Sequence, residues 1–308
     1  MEKRNGRIIK GLGGLYEIQT DLGIVECRAK GAFRHEKNTP TVGDAVTLLI
    51  DENDNPIISE IKERKNLLIR PPLSNLDTLF CVIPTRKPDS DLFTLDKLIA
   101  IAESLSIEPV IVITKCDLDA AKADELFAIY HKYFTIFRTA ITQPDSILPL
   151  LAYLKEQASD GISAFAGASG AGKSTLMNLL FPTLSIVTGG VSRKTQRGRH
   201  TTRHVELFAL NELLSGDYTG YIADTPGFSM LDFERFDFFD KDELPYTFRE
   251  FKTKLGDCRY TRCTHLCEEG CAICEAVANG EIPKSRHESF VTLYKILKNK
   301  NPWDKKKP

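Results

Sequence analysis

No stretch of this 308-residue sequence approaches the roughly 20 consecutive apolar residues that a membrane-spanning helix requires, so no membrane association is expected. The opening MEKRNGRIIK lacks the apolar core of a secretory signal, which makes the cytoplasm the expected compartment. An excess of either charge is missing too. With 41 Lys and Arg against 42 Asp and Glu the net charge is −1, and any contact with nucleic acid must come from local patches. Internal repeats are absent. What is present, 42% hydrophobic and 27% charged residues, suits a soluble chain of two or three ordinary domains that needs no staples. Cysteine is used unevenly: Cys27, Cys81 and Cys116 are scattered, whereas five of the eight crowd between residues 258 and 274. In a cytosolic chain that clustering favours a metal site over disulfides.

Residues 7 to 62 hold five short apolar runs rich in β-branched residues, RIIK, GLYEIQT, GIVECRAK, DAVTLLI and PIISEI, separated by turn signals. Five strands suggest a small all-β barrel of the OB type, with an SH3-like barrel as the other reading. The segment Asn66 to Ser74, with Pro71-Pro72, reads as a linker. Beyond it, the continuous apolar runs TLFCVIP (78 to 84), PVIVITK (109 to 115) and ISAFAG (162 to 167) alternate with helical stretches at Leu92 to Leu105, Ala121 to Tyr133 and Lys173 to Leu180. That alternation predicts a parallel sheet covered on both faces. From about residue 240 the periodicity is lost, the cysteines appear, and a helical SFVTLYKILKN segment precedes the polar tail NPWDKKKP, read as a disordered end.

The strongest motif is Gly167-Ala168-Ser169-Gly170-Ala171-Gly172-Lys173-Ser174, a G-x-x-x-x-G-K-[ST] loop between a predicted strand and a predicted helix. Glycines let main-chain N–H groups turn inward around phosphates, and the following helix offers its positive end. Lys173 is expected to reach the β and γ phosphates, Thr175 belongs to the same phosphate-binding stretch, and the Ser174 hydroxyl is an expected Mg²⁺ ligand. Asp224-Thr225-Pro226-Gly227, ending the strand TGYIAD, offers Asp224 for the metal and the Gly227 N–H for the γ phosphate. Between these motifs, Gly198-Arg199-His200-Thr201-Thr202 lies in a glycine- and charge-rich run, and Thr201 or Thr202 is the residue that would close on Mg²⁺.

Base choice rests on Thr114-Lys115-Cys116-Asp117. An aspartate carboxylate can accept both the N1–H and the exocyclic amine of guanine, which adenine does not offer, and the lysine stem can cover the ring. The tetrapeptide resembles the Asn-Lys-x-Asp element of GTPases, with Thr114 in place of the asparagine. Thr139-Ala140 resembles the Ser-Ala element that backs the guanine. The guanine-reading motif precedes the phosphate loop, the reverse of ordinary GTPases, which implies a circular permutation. Phe228 stands where many GTPases place a water-orienting glutamine and cannot hydrogen-bond water, so intrinsic hydrolysis is expected to be slow, with His200 as the candidate polar group.

Cys258-x4-Cys263-x-His265-x5-Cys271 supplies three thiolates and an imidazole for a closed, structural tetrahedral Zn²⁺ site, with Cys267 and Cys274 leaving an all-cysteine set open. The expected organisation is an OB-fold-like barrel at 1–68, a circularly permuted α/β P-loop GTPase domain at 69–238, and a mainly helical zinc-binding module with C-terminal helix and basic tail at 239–308. Together these elements resemble the RsgA (YjeQ) family of circularly permuted, ribosome-dependent bacterial GTPases over nearly the whole chain. The resemblance implies a late maturation factor of the small ribosomal subunit that binds in the GTP state and leaves after hydrolysis to GDP. It also implies Zn²⁺ on Cys258, Cys263, His265 and Cys271. RNA contact would involve the barrel, the zinc module and the basic loop carrying Arg193, Lys194, Arg197, Arg199 and Arg203. A monomer is expected. The rival readings are a P-loop ATPase or kinase in which TKCD is accidental, and a structural RNA-binding protein that nucleotide merely stabilises.

Overall fold

The computed structural model describes residues 2–30, 33, 39–69, 71–156, 160–184, 205–224 and 238–300. Several residues singled out above lie outside the described ones: His200, Thr201, Thr202, Gly227, Phe228, the five basic residues from Arg193 to Arg203, and the tail. In chain order the strands are β1 (Glu2–Leu12), β2 (Leu15–Thr20), β3 (Gly23–Ala29), β4 (Ala45–Ile50), β5 (Pro56–Ile61), β6 (Leu67–Ile69) and β7 (Pro72–Ser74). They continue with β8 (Leu76–Pro84), β9 (Glu108–Thr114), β10 (Ile136–Arg138), β11 (Ile162–Gly167), β12 (Glu206–Ala209) and β13 (Tyr221–Asp224). The helices are α1 (Leu92–Ser104), α2 (Ala120–Tyr130), α3 (Leu148–Glu156), α4 (Lys173–Leu180), the single turn α5 (Leu210–Leu213), α6 (Ala272–Ala278) and α7 (Lys284–Lys298). These elements form two compact units, one of residues 1–79, 150–165 and 174–229, the other of 80–149, 166–173 and 230–308.

In the first unit β1 pairs antiparallel with both β2 and β4, β2 with β3, and β4 with β5, while β3 and β5 close the ring in parallel. This is a five-stranded OB-type barrel, with Ile8, Ile18, Leu48 and Ile58 fully buried inside it. Its β4–β5 turn is fixed by Asp51, whose Oδ1 accepts from the N–H groups of Asn53 and Asn55 at 2.9 Å each, the local bonding for which aspartate suits turns. The expected linker after it is not one. β6 and β7 form a hairpin with Leu68 and Leu73 fully buried, and the Ser74 N–H donates to the Val42 carbonyl at 2.9 Å. Pro72 is tolerated because both strands of a two-stranded ribbon are edges.

The expected parallel sheet needs one correction in this unit. β11 and β13 are parallel, but β12 runs antiparallel to β13, and Lys10 of β1 pairs with Glu206 of β12. The Lys10 Nζ to Glu206 Oε1 ion pair, at 2.9 Å, marks where the barrel joins the sheet. With only four residues, β12 is too short to show a period of its own, so hydropathy alternation does not reveal it.

In the second unit β8, β9 and β10 lie side by side, β9 and β10 in parallel register. Leu79 to Ile83 of β8 and Val110 to Ile113 of β9 are almost wholly buried, which explains their unbroken apolar sequences. Asp91 caps α1 by accepting the Thr94 N–H at 3.0 Å, and Asp119 caps α2 by accepting the Lys122 N–H at 3.0 Å. Residues 239–300 pack on these helices through a buried charge network. Arg286 of α7 donates Nη1 to Asp96 Oδ1 of α1 at 2.6 Å and Nε to Glu250 Oε1 at 2.5 Å, and the Tyr130 hydroxyl of α2 donates to the same Asp96 oxygen at 2.7 Å. The Arg286 guanidinium also lies 4.6 Å from the centroid of Phe248, within a cluster of Phe248, Phe251 and Phe290.

Candidate nucleotide and metal sites

The loop from Gly167 to Lys173, which follows β11 and precedes α4 in the chain, belongs to the second unit. Gly167 has φ +149, and a Cβ there would lie 2.2 Å from the Val82 carbonyl oxygen of β8, so only glycine lets the loop leave the strand at this point. Gly172, at φ +101, turns the chain into the helix in a conformation that side chains disfavour. Lys173 folds along the loop, its Nζ donating to the carbonyls of Gly167 at 2.7 Å and Ala168 at 2.9 Å. Burial lowers its pKa from the ordinary lysine value, so a polyanion beside it would be stabilising.

The two motifs that the chain order separates meet in space. The Thr114 hydroxyl donates to the Ala171 carbonyl at 2.5 Å, and Lys115 Nζ donates to the Gly170 carbonyl at 2.9 Å and to that of Lys87. Thr114 thus ties the end of β9 to the glycine-rich loop through its single hydroxyl. Lys115 adopts φ +58, turning the chain sharply after β9 so that Asp117 is exposed. The Cys116 N–H donates to the Thr139 carbonyl at 3.1 Å, which brings Thr139-Ala140 beside the same strand end. Ser169, Gly170 and Asp117 remain exposed, while Ala171, Thr114, Thr139 and Ala140 are buried.

Of the residues read as Mg²⁺ ligands, Ser174 and Asp224 are described, and both belong to the first unit. Ser174 lies in the first turn of α4, and Asp224 ends β13, which is parallel to β11 with Ala164 opposite Ala223. Burial, and secondarily the nearby Glu206, pushes the Asp224 carboxyl above the usual carboxylate range. A divalent cation would reverse that shift, so the donor chemistry fits Mg²⁺.

The cysteine cluster is in the second unit. Cys258, Cys263, His265 and Cys271 place one ligand atom each within 4.8 Å of all the others. Cys258 Sγ lies 3.5 Å and Cys271 Sγ 3.6 Å from His265 Nδ1, and the two sulfurs are 4.0 Å apart. Around a tetrahedral Zn²⁺ with Zn–S of about 2.3 Å and Zn–N of about 2.0 Å, adjacent donors lie about 3.5 to 3.8 Å apart, so the spacing fits the ion. Cys267 and Cys274 stand outside the set, and the histidine is in it. Burial pushes the Cys263 thiol up to about 12 and the Cys271 thiol up to about 11, and lowers the His265 imidazole. A neutral imidazole is ready to ligate, whereas the thiols need a cation to become thiolates at neutral pH.

Two supporting residues carry no clear mark in the sequence. Glu268 accepts N–H donors from Thr264 at 2.8 Å, Leu266 at 3.0 Å and Cys267 at 3.2 Å, together with the Thr264 hydroxyl. Burial opposes its ionisation, but these donors outweigh it and hold the carboxyl down at about 2. His287 of α7 lies with Nε2 2.7 Å from the His265 carbonyl, fixing the ligand's backbone. Nothing in the local sequence distinguishes Glu268 from a surface glutamate, although its place inside the cysteine cluster is a hint.

A strand end whose threonine and lysine bond a glycine-rich loop of the phosphate-binding pattern, with that strand earlier in the chain than the loop, is the arrangement of a circularly permuted P-loop GTPase. Residues 61–234 match the sequence family described as RsgA GTPase, and residues 5–58 match the RsgA N-terminal domain. Among curated relatives, the small ribosomal subunit biogenesis GTPase RsgA of Caldanaerobacter subterraneus subsp. tengcongensis is 41% identical over 304 residues, covering 97% of this chain and 98% of that one. The protein of the same name from Geobacillus kaustophilus is 38% identical over 302 residues, covering 96% and 98%. The crystal structure of YjeQ from Thermotoga maritima superposes with a TM-score of 0.78 at 31% identity, covering 97% of this chain and 100% of that one. That of YloQ, described as a circularly permuted GTPase, gives 0.77 at 32% identity, covering 98% and 97%. The chain belongs to the RsgA GTPase family.

Proposed function

We propose that this protein hydrolyses GTP to GDP and phosphate as a late maturation factor of the small ribosomal subunit, binding the particle in the GTP state and leaving after hydrolysis. The observation that supports the reading is the bonding of Thr114 and Lys115 to the carbonyls of Ala171 and Gly170, which is what one pocket shared by Asp117 and Lys173 requires. Asp117 selects guanine, the Lys115 stem covers the ring, and Thr139-Ala140 back it. The amides from Gly167 to Thr175 enclose the phosphates, with Lys173 turning from its carbonyl partners to the β and γ oxygens. Ser174, Asp224 and Thr201 or Thr202 would hold Mg²⁺, which supplies charge neutralisation on the triphosphate when bound. Gly227 would contact the γ phosphate, and His200 is the proposed group that orients water once the subunit orders its loop.

The barrel (1–68), the GTPase domain (69–238) and the zinc module (239–308) divide the work in this reading, with rRNA met by the barrel, the zinc module and the basic loop. Zn²⁺ on Cys258, Cys263, His265 and Cys271 is structural. The protein works as a cytoplasmic monomer in this reading, and among the described residues no helix is long and apolar enough to cross a membrane. GTP turnover measured with and without purified small ribosomal subunits tests the proposal. A rise of about a hundredfold or more on adding subunits is expected from ordering of a switch loop, and equal rates would overturn it.

A further inference from the structure

Guanine selection by a carboxylate depends on its direction as much as its charge. Both oxygens of Asp117 have to face the edge of the base to accept N1–H and the exocyclic amine together, yet Asp117 is exposed and follows a sharp backbone turn. A free aspartate there would spend most of its time in other rotamers. Among the described residues, one side chain restrains it. The Thr142 hydroxyl donates to Asp117 Oδ2 at 3.0 Å from the loop that follows Thr139-Ala140. This leaves Oδ1, and the second lone pair of Oδ2, available to a base.

The loop carrying Thr142 is itself well fixed. The Ala140 N–H donates to the Ser146 hydroxyl at 2.9 Å, and that hydroxyl donates back to the Ala140 carbonyl at 3.2 Å. The Gln143 N–H donates to the Ala140 carbonyl at 3.1 Å and the Ser146 N–H to the Gln143 carbonyl at 2.9 Å, closing a compact turn with Thr142 at its tip. The other end is anchored to the base-reading strand, because the Thr139 N–H donates to the Ile113 carbonyl at 2.8 Å. Thr142 is therefore held by the same strand that carries Asp117.

We infer that Thr142 is a positioning residue for guanine recognition, its hydroxyl orienting the Asp117 carboxylate toward the base. The inference rests on the reading of Asp117 as the guanine-selecting group. Adenine makes no use of that carboxylate, and hypoxanthine offers it one donor where guanine offers two. Loss of orientation should therefore weaken GTP most, inosine triphosphate less and ATP not at all, a pattern that general loosening of the fold does not produce.

Equilibrium dissociation constants of the zinc-loaded full chain for GTP, inosine triphosphate and ATP, for the wild type, Thr142→Val and Thr142→Ser, test this. Thr142→Val is expected to weaken GTP about tenfold and to lower the ratio of GTP to inosine triphosphate affinity, with ATP unchanged, while Thr142→Ser keeps wild-type values. Unchanged GTP affinity in Thr142→Val, or equal weakening of all three nucleotides, overturns the positioning role. A wild type that does not prefer GTP to ATP would instead overturn the reading of Asp117.

Discussion

The phosphate loop and the cysteine cluster of the second unit are held together in opposite ways. In the phosphate loop the chain satisfies itself: Thr114 and Lys115 bond its carbonyls, Lys173 lies along it, and Gly167 packs against the Val82 carbonyl. Its geometry is set by backbone and strand ends before any ligand is considered. In the cysteine cluster four donors converge from residues 258, 263, 265 and 271, and burial makes two of the thiols harder still to ionise. Such a loop needs a cation to supply both the charge and the crosslinks. Removing a ligand should therefore cost the phosphate loop only its function, and the cysteine cluster its structure.

Zinc extraction is expected to have the largest effect. Structural Zn²⁺ sites in small peptides are worth about 10 kcal/mol or more of coupled folding energy, so chelation should abolish amide protection across residues 258–271, as hydrogen exchange would detect. Protection in β8 and β9 should persist. If the cluster kept its protection without metal, the contrast would fail.

Arg286→Met comes next, because it sharpens how far the zinc module depends on something other than metal. The substitution leaves Asp96 and Glu250 buried and uncompensated, and breaking such a network typically costs about 3 to 5 kcal/mol. Denaturant unfolding of the zinc-loaded chain measures it. A loss below about 1 kcal/mol would mean that the network adds nothing to the packing of Phe248, Phe251 and Phe290.

Lys173→Ala addresses the other side of the comparison. Losing a charge-assisted partner of the triphosphate should weaken GTP about a hundredfold, roughly 2.7 kcal/mol, while the melting temperature barely moves. A large loss of thermal stability would instead show that the lysine's bonds to Gly167 and Ala168 hold the loop, and that backbone and strand ends alone do not.

Glu268→Gln has the smallest expected effect, about 1 to 2 kcal/mol, because one amide oxygen cannot accept four donors. The carboxyl is depressed from the usual 4.5 to about 2 in the folded chain, so its contribution is fully present above 4.5 and is lost as pH falls toward 2. Unfolding free energies of the two proteins should accordingly converge as pH falls from about 4.5 to about 2. A gap that stays constant with pH would contradict the hydrogen-bonding role.

What could be seen in the sequence was local or periodic. Alternating β-branched runs announced the five barrel strands, the unbroken apolar runs announced β8, β9 and β11, and cysteine spacing announced a metal site between residues 258 and 274 while leaving Cys267 and Cys274 open as ligands. The β6–β7 hairpin was hidden because Pro71-Pro72 are breakers in most settings, and only the burial of Leu68 and Leu73 shows why a two-stranded ribbon accepts them. The Arg286 network was invisible, since Asp96 lies 190 residues away and an arginine in a helix reads as surface. Thr142 was missed for a related reason: a threonine in a polar loop carries no signal until Asp117, 25 residues earlier, is found beside it.

The most direct test of the shared pocket is nucleotide preference after Asp117→Asn. An asparagine offers an N–H₂ donor to the C2 oxygen of xanthine where aspartate accepted the C2 amine of guanine, so the variant should bind xanthosine triphosphate more tightly than GTP. Adding Lys173→Ala to it should then abolish that binding. If Asp117→Asn left GTP affinity and preference unchanged, Asp117 would not face the base bound at the phosphate loop, and the single pocket built from the two motifs would be contradicted.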